Sequence, residues 1–74
     1  MLGLNKQKEN SCCIIRDFRG DSRFIGRITA IGLTVGSEIE VLQNRRNHPV
    51  LLYSRDTMVA VGAGEAAKIL VEEV

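Results

Sequence analysis

The sequence predicts a small, mainly β barrel with one short helix, and three observations carry that expectation. Apolar and polar residues alternate over short runs such as Glu38-Ile39-Glu40-Val41, the period of a half-buried strand. The runs lie close together, and most connections are too short for a crossover helix, so the pairing should be antiparallel. One segment switches to helical spacing, with Phe24, Ile28 and Ile31 at i, i+4 and i+7, and is closed by Gly32. Five strands so short and closely spaced should curve into a barrel, which hides sheet edges in so small a domain.

In chain order, residues 1–10 are polar and unpatterned and read as a loose tail; residues 11–74 read as a single domain. Ser11 to Phe18 is a strand rich in small and β-branched residues. Cys12, Ile14 and Phe18 fall on one face and Cys13 and Ile15 on the other, and a bulge can decide which set is buried. Gly20-Asp21-Ser22 signals a helix start, with Asp21 or Ser22 as the N-cap. Ile25 widens the apolar stripe, while Arg23 and Arg27 lie four apart on the outer surface. Gly26 weakens the helix by about 1 kcal/mol against Ala, which suggests a close approach of another backbone. Gly32 stands where a helix needs a left-handed residue, with Leu33 as the apolar residue that folds back on the last turn.

Val35-Gly36-Ser37 then makes a turn in which Gly36 supplies positive φ. The next strand points Ile39 and Val41 inward and Glu38 and Glu40 to water. Gln43 to His48 is a polar loop closed by Pro49, which opens the strand Val50 to Ser54. Arg55-Asp56-Thr57 reads as a tight turn, and Met58 to Val61 alternates again with Val59 and Val61 inward. Gly62 to Lys68 holds one or two helical turns, and Ile69 and Val71 mark a last strand.

Composition narrows the function classes. Seventy-four residues allow one domain and one small core. A hydrophobic fraction of 45% with 26% charged residues is that of an ordinary globular chain. A net charge of +1 creates no global attraction to nucleic acid or an anionic membrane. No apolar run approaches the roughly 20 residues of a membrane span, and Met1 to Lys6 is no signal peptide. Cys12 and Cys13 are adjacent, so on a strand they face opposite ways and a bridge between them is sterically poor. The lack of a disulfide framework suits the reducing cytoplasm.

The motifs are weighed on their context. Gly62-Ala63-Gly64-Glu65-Ala66-Ala67 fits a dinucleotide-loop pattern after a strand. Such a loop belongs to a βαβ unit of about 30 residues with an acidic residue about 20 positions later, and the sequence stops short of that at Val74. Cys12, Cys13 and His48 are the only soft metal ligands, and they lack the four-ligand spacing of a structural zinc site. They leave a transient divalent ion, Fe2+ or Zn2+, as the one cofactor to test. Asp17, Asp21 and Asp56 read as cap or turn residues, and no nucleophile–base set emerges, so no enzyme is expected. Arg45 and Arg46, with Arg16, Arg19 and Arg55, are basic, but the only aromatics are Phe18, Phe24 and Tyr53, too few for base stacking.

Cys12 to Val71 resembles the bacterial ferrous iron transport protein A family, FeoA. The resemblance rests on the helix followed by Gly32-Leu33-x-x-Gly36 and an alternating strand, on Pro49 opening a strand, and on Val59-Ala60-Val61 followed by Glu65-Ala66-Ala67 and Ile69-x-Val71. It implies an SH3-like barrel and a small cytoplasmic accessory protein. The implied partner is the cytoplasmic part of the ferrous iron permease FeoB, with no membrane insertion and no nucleic acid. The chain departs from the family pattern at Arg45-Arg46-Asn47-His48-Pro49, where a Leu-Gly-Asp-Pro-like loop is common. It departs again at Gly62, where Arg is common, and at Ala66, where a larger residue is common.

The docking surface expected on these grounds is the outer helix face, Arg23 and Arg27, with Leu33 beside the turn, and with Arg45 and Arg46 on the exposed loop. Gly20, Gly32, Gly36 and Pro49 are assigned to turns and caps. The alternatives are a metal sensor or metallochaperone using Cys12 or Cys13 with His48, and a small nucleic-acid-binding barrel.

Overall fold

The computed structural model describes all 74 residues. A two-residue strand, β1 (Leu2–Gly3), leads into a single 3-10 turn (Leu4–Lys6). There follow β2 (Cys12–Phe18), α1 (Ser22–Ala30), β3 (Glu38–Gln43), β4 (Val50–Ser54), β5 (Thr57–Val61), α2 (Ala63–Ala66) and β6 (Ile69–Glu73). All strands belong to one antiparallel sheet in the order β1-β6-β2-β3-β4-β5. The mainly β fold class and the single helix plus helical turn agree with the sequence reading; the sheet has six strands where five were expected.

The sixth strand comes from the N-terminal segment, which is no loose tail. Leu2 pairs with Val71 and Gly3 with Leu70, and Leu4 is completely buried. The Asn44 side-chain amide donates to the backbone oxygens of Asn5 and Gln7, and the Asn10 N–H donates to Val41 O at 2.6 Å. These partners lie more than 30 residues away, so no local pattern announces them.

The sheet curls around 14 buried apolar residues, among them Leu4, Ile15, Phe24, Ile28, Leu33, Leu52 and Ile69. The question left open on β2 is settled by a bulge at Arg16. Ile15 lies opposite Val71 and Asp17 opposite Leu70, so two residues of β2 advance against one of β6. The extra residue turns Cys13, Ile15 and Phe18 to the core side although Ile15 and Phe18 are three apart; Cys12 is left exposed. A second bulge at Leu42 ends the alternation of β3. The hairpin between β4 and β5 turns on Arg55 and Asp56, both at positive φ (51° and 62°), with Ser54 paired to Thr57. That backbone matches the right-handed twist of the flanking strands.

Helix α1 starts where expected, with Asp21 as N-cap: its Oδ1 accepts the Phe24 N–H at 2.9 Å. Phe24 and Ile28 are buried, but Ile31 is 43% exposed, because it occupies the C-cap, where the helical spiral ends. A Cβ on Gly26 would meet nothing within 4 Å, so no backbone approaches there. Gly20 instead faces a close neighbour: a Cβ would stand 2.3 Å from Cδ2 of Phe24, whose ring folds back over it.

Candidate functional site

The joint after α1 is built by two glycines in the left-handed region, Gly32 (φ 100°) and Gly36 (φ 95°). The Gly32 N–H donates to Thr29 O at 2.9 Å and the Leu33 N–H donates to Ile28 O at 3.2 Å. This pair of bonds satisfies carbonyls the helix end would otherwise leave free, and it swings Leu33 back onto the last turn. The Gly36 N–H donates to Ile15 O at 2.8 Å and the Ile15 N–H to Ser37 O at 3.0 Å, which stitches the joint to β2.

Leu33 is consequently a core residue with 0% exposure, and cannot touch a partner. The apolar side chains that do reach water are its neighbours in sequence, Ile31 (43%) and Val35 (59%). Arg23, Arg27 and Ile31 recur at four-residue spacing and share one flank of the helix. Arg23 is exposed without an ion pair, whereas the Arg27 guanidinium is bonded to the Glu65 carboxylate and ties α1 to α2. The exposure of both partners limits the worth of that ion pair to about 1 kcal/mol or less. A further tie is the Lys68 ammonium, 5.4 Å from the centre of the Phe24 ring.

Arg45 and Arg46 project from the loop between β3 and β4, away from α1 in sequence and on a different cleft. That cleft has a volume of about 440 Å³, and its walls include Lys6, Arg45, Arg46, His48, Asn5 and Asn47. Lys6 comes from the N-terminal segment, which the sequence reads as a solvated tail whose Lys6 and Lys8 could serve a partner. The signal that finds it is the tie of Asn44 to Asn5 and Gln7, which no periodicity encodes.

The soft ligands do not converge. Cys12 is exposed on β2, Cys13 is buried on the opposite face, and His48 lies in the β3–β4 loop. No three His, Cys, Asp or Glu side chains are grouped closely enough to hold a metal ion. Burial pushes the Cys13 thiol above its ordinary value of 9.0. The bond from Ser11 opposes that rise, while the charges of Glu73 and Cys12 add to it. Cys13 Sγ also donates to the Gln7 side-chain oxygen at 3.5 Å, so it behaves as a satisfied core residue.

The aromatics needed by a nucleic-acid barrel are also engaged. Phe18 and Phe24 meet edge to face at 6.5 Å, and the Tyr53 hydroxyl donates to Asp56 at 3.0 Å. No helix is long and apolar enough to cross a membrane.

Comparison with known proteins bears on this geometry. The FeoA domain family matches residues 2–73. A Methanocaldococcus jannaschii protein that carries the name of an Fe(2+) transport protein A is 30% identical over 73 residues, covering 99% of this chain and 88% of that protein. The crystal structure of an iron uptake regulatory protein, FeoA, superposes with a TM-score of 0.93 at 22% identity, over 99% of this chain and 97% of that one. A manganese-dependent transcriptional repressor contains the same fold, with a TM-score of 0.88 at 18% identity, over 97% of this chain and 41% of the repressor. These two structural likenesses bear on the fold alone.

Proposed function

The chain belongs to the FeoA domain family, and from that premise we propose that it is a non-catalytic accessory protein of ferrous iron uptake that docks on the cytoplasmic domain of a FeoB-type iron permease. Ferrous iron is the cargo of that system, carried by the permease. The observation that supports docking is the surface at the end of α1. There Ile31 and Val35 are exposed on either side of a buried Leu33 in the sequence. Arg23, without an ion pair, lies about two helical turns away at the start of α1, on the same flank as Ile31. Exposed apolar side chains on a joint held by four backbone hydrogen bonds offer a partner an apolar contact, with the free arginine at its rim. The rigid joint lowers the ordering cost of binding.

The metal-sensor alternative draws no support from the placement of Cys12, Cys13 and His48, which lie on separate surfaces. The nucleic-acid alternative draws none from Phe18 and Phe24, which are packed on each other.

Binding to the purified cytoplasmic domain of the permease, measured by surface plasmon resonance, tests the reading. Ile31→Asp with Val35→Asp should weaken binding by about tenfold or more, the scale of losing one interface anchor, with thermal stability unchanged. Unaltered affinity in that double variant would rule out the α1 end as the docking surface.

A further inference from the structure

We propose that the cleft between the N-terminal turn and the β3–β4 loop is a binding site for a small phosphate-bearing anion. The lining of the cleft is cationic. Lys6, Arg45 and Arg46 converge on this cleft, and none of them has an ion-pair partner. Arg16, Arg19 and Arg27, by contrast, are each paired with a carboxylate. No Asp or Glu lines the cleft. The Glu9 carboxylate, which accepts the Asn44 backbone N–H at 2.9 Å, keeps its charge but lies outside the lining of the cleft. Three cations thus share one concavity in a chain whose net charge is only +1. Their mutual repulsion is relieved by a bound anion.

The segments that line the cleft are tied to each other. The loop that presents the arginines is a closed turn: the His48 N–H donates to Arg45 O at 3.1 Å, and Asn47 sits at φ 64°. The Asn44 amide joins this loop to the opposite wall by bonds to Asn5 O (3.1 Å) and Gln7 O (2.6 Å). The backbone segments that carry Lys6 and the two arginines are therefore tied to each other before any ligand arrives.

Size and lining match one ligand chemistry. The volume of about 440 Å³ falls in the range of small-molecule sites. Its only apolar lining is Val50 and Ala63, so the occupant is polar. Arginine forks bind phosphate oxygens through two parallel hydrogen bonds, and the amides of Asn5 and Asn47 and the imidazole of His48 line the same cleft. Three positive charges answer a multiply charged phosphate better than a single carboxylate. This site is separate from the α1 docking surface, and the two proposals stand or fall on different residues.

The test follows backbone amide shifts of the full chain by NMR while inorganic pyrophosphate is added, and in a parallel arm while vesicles containing phosphatidylinositol phosphate are added. Saturable shifts confined to residues 5–6, 44–48 and 63 are expected, weakening with added salt. The double variant Arg45→Gln/Arg46→Gln should weaken binding roughly tenfold or more, while Arg23→Gln should leave it unchanged. Both sites are exposed, so the variants should fold, and an otherwise unaltered amide spectrum checks that they do. Saturation by pyrophosphate assigns a free phosphate compound; saturation by vesicles alone assigns a lipid headgroup. Shifts that never saturate, shifts equally large around Arg23 and Arg55, or affinity retained in the double variant would overturn the site.

Discussion

Leu33→Ala probes the joint on which the fold turns. The side chain is fully buried, and its own N–H closes the helix through Ile28 O at 3.2 Å. The substitution leaves that bond in place and removes only the side chain, so its cost is transfer plus cavity, about 2–5 kcal/mol. A domain of 74 residues has roughly 4–11 kcal/mol in total, so the loss consumes a large share of it. At about 4–8 °C per kcal/mol for a domain of this size, the melting temperature should fall by at least about 8 °C. Ile31→Ala, two residues earlier and 43% exposed, should cost about 1 kcal/mol or less. Urea unfolding followed by circular dichroism measures both. A Leu33→Ala variant as stable as the parent, or an Ile31→Ala variant that is the worse of the two, would refute the placement of Leu33 in the core.

Two further predictions concern stability alone. Gly26→Ala, in mid-helix and facing open space, should stabilise the protein by about 1 kcal/mol, read as a higher urea midpoint; a loss of stability would mean that something packs there. The Cys13 thiol is held protonated above its ordinary value of 9.0. Above pH 9 the unfolded chain therefore binds fewer protons than the folded one. This contribution to stability is complete below pH 9 and declines as pH rises towards the folded-state value. Unfolding free energies from pH 8 to 10.5 should fall more steeply for the parent than for Cys13→Ala. A thiol reagent at pH 8 should label Cys12 promptly and Cys13 only in denaturant; equal labelling rates in the native protein would contradict the burial of Cys13.

The helix and the five longer strands were legible in the sequence because their signals are local. Asp21 caps through a residue three positions away, Gly32 and Gly36 adopt the left-handed conformation their neighbours require, and β3 alternates within four residues. The family pattern over Cys12 to Val71 drew on the same local features. What the sequence did not disclose is non-local. The bulge at Arg16, which brings Phe18 onto the buried face of Cys13 and Ile15, depends on pairing with β6 more than 50 residues on. The packing of Leu33 against the last turn was legible, but the exposure of Ile31, read as part of the buried stripe, depends on where the helix stops winding. Leu4 carries no periodic signal and is buried only because β6 offers β1 an edge. Both proposed surfaces inherit this. The exposed pair Ile31 and Val35 appears only once Leu33 is drawn inside, and Lys6 meets Arg45 and Arg46 only because Asn44 bridges the two segments. Backbone preference acts over a few residues and can be read along the chain; burial and charge convergence are set by contacts between distant segments, and those exist only once the sheet has closed around its core.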